Sequence, residues 1–476
     1  MFDVIVIGAG VCGSFIAKEL SQYDLSVLVI EKENDVGNVT SMANSAIVHS
    51  GYDPLPNTLK AKLNVLGNKM FPKICEDLEI EFSNIGSLTI ATNDEQIKLL
   101  NELCLRSKLN GVEVKLLSKN EVKQIEPNIN DEVKGALFAP SAGIVNPFNL
   151  VTHVMENAID NGVKLVLGEK VIDIKKENDK FVVFTNKNKY ISTLIIDAAG
   201  INADEIHNLI EDITYSIKPR KGEYYVLDHY KKGLVNHVIF PLPSEKGKGI
   251  LITPTTSGNY LVGPSSEFVL DKDDLSTDKE TLINVKKEAT NLIPNIPFNQ
   301  VIRTFSGNRP TPSTHDFIIE FAKNDNNFIV VSGIESPGLV SSPAIAKYVV
   351  DNFVTKRIKL TKKENYNPKI RHRINVKQLD VDSRNELVKK DPNYGIIVCN
   401  CEKVTLGEIL DELSRSVPLN TIKALKKRTR AGFGKCQGGF CQPLLIKILS
   451  NYYHFDMDKI NYDKNDTIIC KYKTKN

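Results

Sequence analysis

The amino-acid sequence predicts an α/β protein with an antiparallel domain interleaved in it and a small module at its C-terminus. Three observations lead to this fold class. Residues 1–31 have the pattern of a strand, a glycine-rich turn, a helix and a second strand. Between about Ser216 and Val262, alternating strands are separated by Gly and Pro turns. Four of the eight cysteines are paired near the C-terminus, and 476 residues suffice for about three domains.

The composition is that of an ordinary globular protein, with 41% hydrophobic residues, 25% charged residues and a net charge of +3. It excludes disordered, fibrous and cysteine-scaffold proteins. So small a net charge predicts no strong field toward nucleic acids or membranes, and we expect no nucleic-acid partner. The N-terminus lacks the features of a signal peptide, and no run of about 18 apolar residues occurs. We therefore expect a cytoplasmic protein without a transmembrane segment, for which peripheral membrane contact stays open.

The first unit is a βαβ motif that contains a dinucleotide fingerprint. An apolar strand, Phe2 to Ile7, leads into a helix from about Cys12 to Ser21, and the next strand, Ser26 to Ile30, ends at Glu31. Glycines in G-x-G-x-x-G order allow a tight turn and close approach of a pyrophosphate to the helix N-terminus. These glycines are Gly8, Gly10 and Gly13. Glu31 is placed to accept a hydrogen bond from a ribose 2′-OH, and the fingerprint by itself serves FAD and NAD alike.

The remaining elements divide residues 1–355 between two interleaved domains. We expect strands and helices at Thr89 to Ala91, Asp94 to Leu109, Gly135 to Ala139, Asn149 to Asn161, Lys164 to Leu167, Thr193 to Ile196, Phe328 to Val331 and Ala344 to Phe353. Segments of about 1–77, 146–214 and 328–355 form the predicted cofactor-binding domain. Segments of about 78–145 and 215–327 form the predicted antiparallel substrate domain.

Five segments that follow Glu31 resemble one family of flavoenzymes. In chain order they are Thr40–Tyr52 (TSMANSAIVHSGY), Leu59–Leu63 (LKAKL), Lys221–Tyr225 (KGEYY), Ser306–Pro310 (SGNRP) and Gly333–Leu339 (GIESPGL). They are similar to segments of FAD enzymes of the glycine-oxidase and D-amino-acid-oxidase type. The likeness is closer to the glycerol-3-phosphate dehydrogenase and L-2-hydroxyglutarate dehydrogenase branches. It covers about residues 1–355 and implies FAD bound to a Rossmann-like domain.

The resemblance also implies roles for individual residues. The FAD-binding set comprises Gly8, Gly10, Gly13, Glu31, Lys32, Thr40, Ser41, Ser45, Val171, Gly200, Gly333, Gly338 and Leu339. His49 is the candidate that takes a hydroxyl proton during hydride transfer, with a packed or flavin-contacting histidine as the alternative. Arg309 is the first candidate for binding an anionic substrate group, ahead of Lys221 and Arg303. Ser336 is expected to contact substrate or flavin.

The C-terminal cysteines are spaced as C-x-C and C-x4-C. They are Cys399, Cys401, Cys436 and Cys441. Two close pairs of thiolates can hold zinc or an iron–sulfur cluster, and a redox dithiol is a third alternative. The segment Arg428–Cys441 resembles the bacterioferritin-associated-ferredoxin-like 2Fe–2S domain, which implies a 2Fe–2S cluster. Arg428, Arg430 and Lys435 are expected to offset the negative charge of that cluster.

Together these expectations describe an FAD-dependent dehydrogenase of a small anionic 2-hydroxy compound. The resemblance implies oxidation of sn-glycerol 3-phosphate, with electrons leaving through the 2Fe–2S centre to a redox partner protein or a quinone. L-2-hydroxyglutarate or an imino acid is the alternative substrate, because an arginine clamp binds phosphate and carboxylate alike. An electron-transfer subunit that holds flavin and cluster without turnover is a third interpretation.

Residues 356–393 are predicted to be a basic linker, because this segment has twelve Lys and Arg against five Asp and Glu. A solvated connector explains the pattern, and a docking segment for an acidic electron-transfer partner is the alternative. The cysteine module is expected at 394–450. The tail at 451–476 matches no pattern that we can assign.

Overall fold

The computed structural model describes residues 1–230, 232–242 and 249–472. In chain order the strands are β1 (Phe2–Ile7), β2 (Val27–Glu31), β3 (Ile47–Val48), β4 (Phe82–Ser83), β5 (Ser87–Ala91), β6 (Lys115–Ser118), β7 (Gly135–Ala139), β8 (Gly143–Val145), β9 (Lys164–Leu167), β10 (Val171–Glu177), β11 (Lys180–Thr185), β12 (Lys189–Asp197), β13 (Ile217–Leu227), β14 (Val238–Pro241), β15 (Leu251–Pro254), β16 (Tyr260–Gly263), β17 (Glu267–Phe268), β18 (Val301–Pro312), β19 (Ile318–Phe321), β20 (Phe328–Ser332), β21 (Ile397–Cys399) and β22 (Val404–Thr405). The helices are α1 (Val11–Leu20), α2 (Leu59–Asp77), α3 (Asp94–Leu109), α4 (Lys119–Ile125), α5 (Pro147–Asp160), α6 (Ala203–His207), α7 (Lys279–Leu292), α8 (Gly338–Asn352), α9 (Val381–Lys390), α10 (Leu406–Leu413), α11 (Ile422–Thr429) and α12 (Gln442–Tyr453).

The cofactor-binding domain is built on a mixed sheet whose centre is parallel. Its strands run in the order β10, β11, β12, β1, β2 and β9, with β20 beside β12 and β19 on β20. β1 pairs in parallel with both β2 and β12. Helices α1, α5 and α8 pack their apolar side chains on one face, so the central strands are buried and almost wholly apolar. The predicted βαβ unit is confirmed, with its elements shifted by about one residue.

The second large sheet is predominantly antiparallel and forms the substrate domain. Its strands run in the order β17, β13, β16, β15, β14, β5, β7 and β6, with β18 on the free side of β13. The long β13–β18 pair places Arg220 directly opposite Arg309. This sheet confirms the antiparallel fold predicted around Ser216 to Val262. Lys231 and residues 243–248 of that predicted stretch lie outside the described residues.

The basic segment 356–393 packs against both domains that it connects. Asn157 on α5 donates to the carbonyl oxygens of Asn367 and Lys369. Arg373 bridges α5 and α10, with Nη2 at 2.5 Å from Glu156 and Nε at 2.7 Å from Glu412. Arg373 therefore anchors the segment to both domains, whereas nine of its twelve Lys and Arg residues are exposed to solvent.

The C-terminal module packs α10, α11 and α12 around its own apolar core. Asp35 of the cofactor domain holds it, because Oδ1 and Oδ2 of this buried carboxylate meet Arg428 at 2.7 Å and Lys427 at 2.6 Å. The tail returns to the same contact, where Asp463 accepts from Asn38 at 3.1 Å. None of the helices among the described residues combines the length and apolar character needed to cross a bilayer.

Candidate active site

Two connected cavities occupy the carboxyl ends of the central strands. One, of about 340 Å³, is lined by β2, β10 and the turn after β12. The other, of about 370 Å³, extends from α1 to the β13–β18 pair. Gly10, Thr40, Ser41 and Gly200 line both cavities. An elongated ligand such as a dinucleotide can therefore span them.

The first cavity has the features of an adenosine and pyrophosphate site. α1 begins after Gly10, whose missing side chain provides no cap. The N–H of Val11 donates to the hydroxyl of Ser41 at 2.9 Å, and the positive end of the helix still points toward an anion in the cavity. A Cβ on Gly13 would lie 1.9 Å from the carbonyl oxygen of Gly8, and Gly8 itself has a φ of +102°. Only glycine fits at either position, and the resulting close approach suits the pyrophosphate of FAD.

Glu31 ends β2 inside the first cavity with its carboxylate already ordered. The backbone N–H of Ala9 donates to Oε2 at 2.7 Å, and that of Glu33 donates to Oε1 at 2.8 Å. Burial raises the pKa of Glu31, and the two hydrogen bonds oppose that shift. Lys32 and Val171 line the same cavity. These placements fit the ribose-binding role that the sequence predicts.

The second cavity brings together most of the predicted flavin and substrate residues. Its lining includes Thr40, Ser41, Ser45, His49, Arg309, Ser336, Gly338 and Leu339. The His49 ring lies against Phe240, with ring centroids 5.8 Å apart. Ser45 shares a hydrogen bond of 3.0 Å with the hydroxyl of Tyr224. Gly333 lies outside both cavities, in a turn with a φ of +67° that packs on Pro312.

Two guanidinium groups lie side by side in this cavity. Arg309 donates from Nη2 to the carbonyl oxygen of Ser265 at 2.7 Å and from Nε to that of Arg220 at 3.1 Å. Burial lowers the pKa of Arg309 to about 10, so it remains a cation at neutral pH. Arg220 pairs with Glu335 at 2.6 Å, while its buried Nε has no hydrogen-bond partner among the described residues. Two like charges directly opposite each other on paired strands destabilise the sheet, and an anion bound between them would remove that repulsion.

Arg220 lines the cavity although the sequence pattern does not single it out, and strand alternation explains why. Side chains of a strand alternate between its two faces, so Arg220 and Tyr224 face the cavity while Lys221 faces away. Lys221 is bound to Asp274 at 2.8 Å on the opposite face. Arg303 lies about six residues from Arg309 along β18 and lines a different cavity. The structure therefore brings Arg309 to the substrate cavity, but neither Lys221 nor Arg303.

The four cysteines of the C-terminal module form two neighbouring pairs. The Sγ atoms of Cys401 and Cys436 are 3.6 Å apart, and Cys399 hydrogen-bonds Cys441. Burial, followed by the neighbouring Cys399, raises the pKa of Cys441 to about 12. A Cβ on Gly434 would lie 2.3 Å from Cβ of Cys401, so glycine keeps space beside this thiol.

The four cysteines are arranged as two pairs of thiols and do not all surround a single point. In the described part of the chain, no three His, Cys, Asp or Glu side chains surround a point that a single metal ion could occupy. Two irons, each held by two thiolates, match the paired arrangement. Arg428 and Arg430, expected to offset the charge of a cluster, are each bound to a carboxylate, Arg428 to Asp35 at 2.7 Å and Arg430 to Glu402 at 2.8 Å.

Residues 3–352 match the FAD dependent oxidoreductase family, and residues 397–451 match the BFD-like 2Fe–2S binding domain. A glycerol 3-phosphate dehydrogenase of Caloramator mitchellensis is 46% identical over 476 residues, which are 100% of this chain and 99% of that protein. A glycerol 3-phosphate oxidase of Mycoplasma genitalium is 35% identical over 77% of this chain and 97% of its own length.

A solved structure agrees with this family match. The dithionite-reduced L-α-glycerophosphate oxidase of Mycoplasma pneumoniae, with FAD bound, aligns at a TM-score of 0.75 and 32% identity. The alignment covers 79% of this chain and 99% of that one. The family match therefore supports FAD as the cofactor, and the two connected cavities are shaped for an elongated dinucleotide of this kind. The chain belongs to the FAD-dependent oxidoreductase family and carries a C-terminal domain of the BFD-like 2Fe–2S binding type.

Proposed function

We propose that the protein is a dehydrogenase that converts sn-glycerol 3-phosphate to dihydroxyacetone phosphate. The observation that carries the proposal is the cross-strand pair of Arg220 and Arg309 in one cavity with His49 and Ser336. Glu335 is shared by Lys60 at 2.8 Å and Arg220 at 2.6 Å, so this one carboxylate faces two cations, and with Arg309 the group keeps a net charge of about +2 for a ligand. Two cations match the double charge of a phosphate monoester, which supports glycerol 3-phosphate as the substrate.

In this proposal each residue has one task. Arg220 and Arg309 bind the phosphate and thereby orient the substrate's secondary alcohol. His49 takes the hydroxyl proton as the C–H bond is oxidised. The pair formed by Ser45 and Tyr224 lines the cavity beside the substrate. FAD, when bound, supplies the hydride acceptor.

The relatives support a dehydrogenase that passes its electrons to another molecule. The relative named a dehydrogenase matches the whole chain, including the cysteine module. The relative named an oxidase matches about three quarters of this chain with nearly all of its own length. We infer that the four cysteines hold a 2Fe–2S cluster, which supplies one-electron transfer toward a protein or quinone acceptor.

Anaerobic flavin bleaching tests the proposed substrate. FAD-loaded protein is mixed without oxygen with sn-glycerol 3-phosphate, L-2-hydroxyglutarate or L-proline, and flavin absorbance and products are measured. We expect glycerol 3-phosphate to bleach the flavin and to yield dihydroxyacetone phosphate. Bleaching by L-2-hydroxyglutarate or proline alone would reassign the substrate. No bleaching by any of them would favour an electron-transfer subunit.

A further inference from the structure

A third cavity, of about 370 Å³, lies between the loop of residues 42–46 and the cysteine module. Ala43, Asn44 and Ala46 line this cavity and the substrate cavity, so a single loop separates the two. On the other side it is closed by the C-terminal module, where Gln437 follows the cysteine at 436. The cavity therefore lies where electrons from the substrate site would leave.

Aromatic rings form much of the cavity wall. Phe148 and Phe433 stack at a tilt, with ring centroids 5.5 Å apart, across the contact between the two domains. The Nζ atom of Lys426 lies 5.3 Å from the ring centroid of Phe433 and 5.6 Å from that of Tyr462. Phe305 of β18 also contributes to the lining. The volume and these flat surfaces suit a planar ligand of small to moderate size.

Some of the cations around the cavity are neutralised by neighbouring carboxylates. Lys427 is bound to Asp35 at 2.6 Å. Arg430 is bound to Glu402 at 2.8 Å. These pairs hold the C-terminal module in place, and their charges are already matched.

Two other cations have no such match. Lys426 is 3% exposed, and its Nζ donates to the hydroxyl of Tyr462 at 3.2 Å. Arg303 is exposed and lies against the same hydroxyl. In residues 1–230, 232–242 and 249–472, no carboxylate lies within 4.0 Å of either cationic group. Burying an ammonium group without a counter-charge destabilises the folded protein. A negatively charged ligand in the cavity would therefore be stabilised by Lys426.

The pKa of Tyr462 reports the same positive field. Burial alone would raise it, but Lys426 and Arg303 outweigh burial and hold it below the ordinary value of tyrosine. Thr277 lies 3.5 Å from Thr304, the neighbour of Arg303, and both Thr277 and Arg303 are exposed. Solvent therefore reaches the cavity beside the start of β18, where Arg303 can attract an anion.

We propose that this cavity binds a planar, negatively charged electron acceptor of the quinone type. Its ring would lie against Phe433 and its anionic group would meet Lys426 and Arg303. The proposal rests on the proposed function for the source of electrons. Oxidation of the secondary alcohol releases two electrons and two protons, and a quinone ring takes up two of each to become a hydroquinone. The ammonium of Lys426 and the hydroxyl of Tyr462 are proton donors at the site.

Binding to oxidised, FAD-loaded full-length protein tests the site without turnover. Equilibrium dialysis compares 1,4-naphthoquinone-2-sulfonate with uncharged 1,4-naphthoquinone. We expect Lys426→Met and Arg303→Gln each to weaken binding of the sulfonate by about tenfold or more, the effect of losing one charge-assisted hydrogen bond. Binding of the uncharged quinone should change less. Lys287→Gln, an exposed position on α7, is the matched control and should bind both probes as the unaltered protein does.

Two results would overturn the acceptor site. One is equal affinity of all variants for the sulfonate, and the other is its displacement by glycerol 3-phosphate, which would place the probe in the substrate cavity. Arg303 is exposed, so its variant remains informative even if Lys426→Met fails to fold. In turnover, the variants should raise KM for the sulfonate more than KM for glycerol 3-phosphate. A failure of glycerol 3-phosphate to bleach the flavin would defeat the proposed function and leave the dialysis result standing.

Discussion

Replacing Arg220 by glutamine tests whether paired guanidinium groups bind the substrate phosphate. Arg220 lies opposite Arg309 on the β13–β18 pair, and its Nη2 is 2.6 Å from Glu335. Glutamine retains a hydrogen-bond donor and removes the charge. Glu335 keeps Lys60 at 2.8 Å and the hydroxyl of Thr311 at 2.8 Å as partners. The substitution therefore leaves no unpaired carboxylate in the core, and loss of function would not reflect misfolding.

The size of the effect follows from the type of contact that is lost. A hydrogen bond to a charged group contributes about 1.5–3 kcal/mol. At about 1.4 kcal/mol for each factor of ten, the dissociation constant of the substrate should rise about 10- to 150-fold. In the proposed function, Arg220 would bind the phosphate equally before and during hydride transfer. The loss should therefore fall on the dissociation constant and KM, with a smaller effect on kcat.

The neighbouring lysine provides a matched control for this prediction. Lys221→Gln removes one positive charge from the same strand, but its side chain lies on the opposite face, bound to Asp274 at 2.8 Å. The dissociation constant of glycerol 3-phosphate is measured from the concentration dependence of anaerobic flavin bleaching. We expect Lys221→Gln to leave it nearly unchanged. If Lys221→Gln raised the dissociation constant of glycerol 3-phosphate more than Arg220→Gln did, the assignment of the phosphate site by strand alternation would be wrong.

Three further predictions concern proton transfer, the domain contact and the cysteines. His49→Gln should slow flavin bleaching by about 10²- to 10⁴-fold in stopped-flow experiments, and an unchanged rate excludes it as the base. Despite burial, the cations of α11 lower the pKa of Asp35 from 3.8 to about 2. Its stabilisation is therefore complete above pH 4 and is lost as the pH falls toward 2. Asp35→Asn should cost about 3–5 kcal/mol in urea unfolding at pH 7 and flatten that pH profile, whereas a small cost would contradict a tight contact. Cys436→Ser should lower bound iron and visible cluster absorbance, while Cys104→Ser, outside the module, should leave both unchanged.

The cofactor domain was predictable because its signals are local. Glycine spacing, an apolar strand and an acidic residue at the next strand end all lie within residues 1–31, and the structure places them as expected. Helices α2 and α7 escaped prediction. α2 contains Gly67 and Pro72 within its span, which weaken its helical pattern. α7 is largely exposed and carries only a few buried apolar positions.

The substrate residues were predictable only in part, because their roles depend on pairing between distant strands. The arginine strand was recognised, and Arg309 lies in the cavity as predicted. The likeness of the adjacent segment begins at Lys221 (KGEYY) and therefore predicts a role for that residue. Its neighbour Arg220 reaches the cavity because the register sets it opposite Arg309. Alternation along β13 gives this result once one residue of the strand is known to face the ligand, here Tyr224.

The basic segment and the tail show a different limit of sequence analysis. The charge of residues 356–393 predicts a solvated linker, and most of its Lys and Arg residues are exposed, but Arg373 pairs with carboxylates on two separate domains. Composition records how many charges are present but not which partners they meet. The same holds for the tail, where Asp463 binds Lys423 and Asn38 although the surrounding sequence has no recognisable pattern.

One strand relates the substrate cavity to the proposed acceptor cavity. β18 carries Arg309 at the former and Arg303 at the latter, a separation of about 20 Å along an extended chain. Between them, a Cβ on Gly307 would lie 2.1 Å from the carbonyl oxygen of Ala43, so the dividing loop rests directly on this strand. Because β18 is paired along β13, the two cavities cannot shift independently without breaking the sheet. Substrate oxidation and electron removal would then occur at fixed positions on one rigid element, and the arginines at its two ends would select different anions.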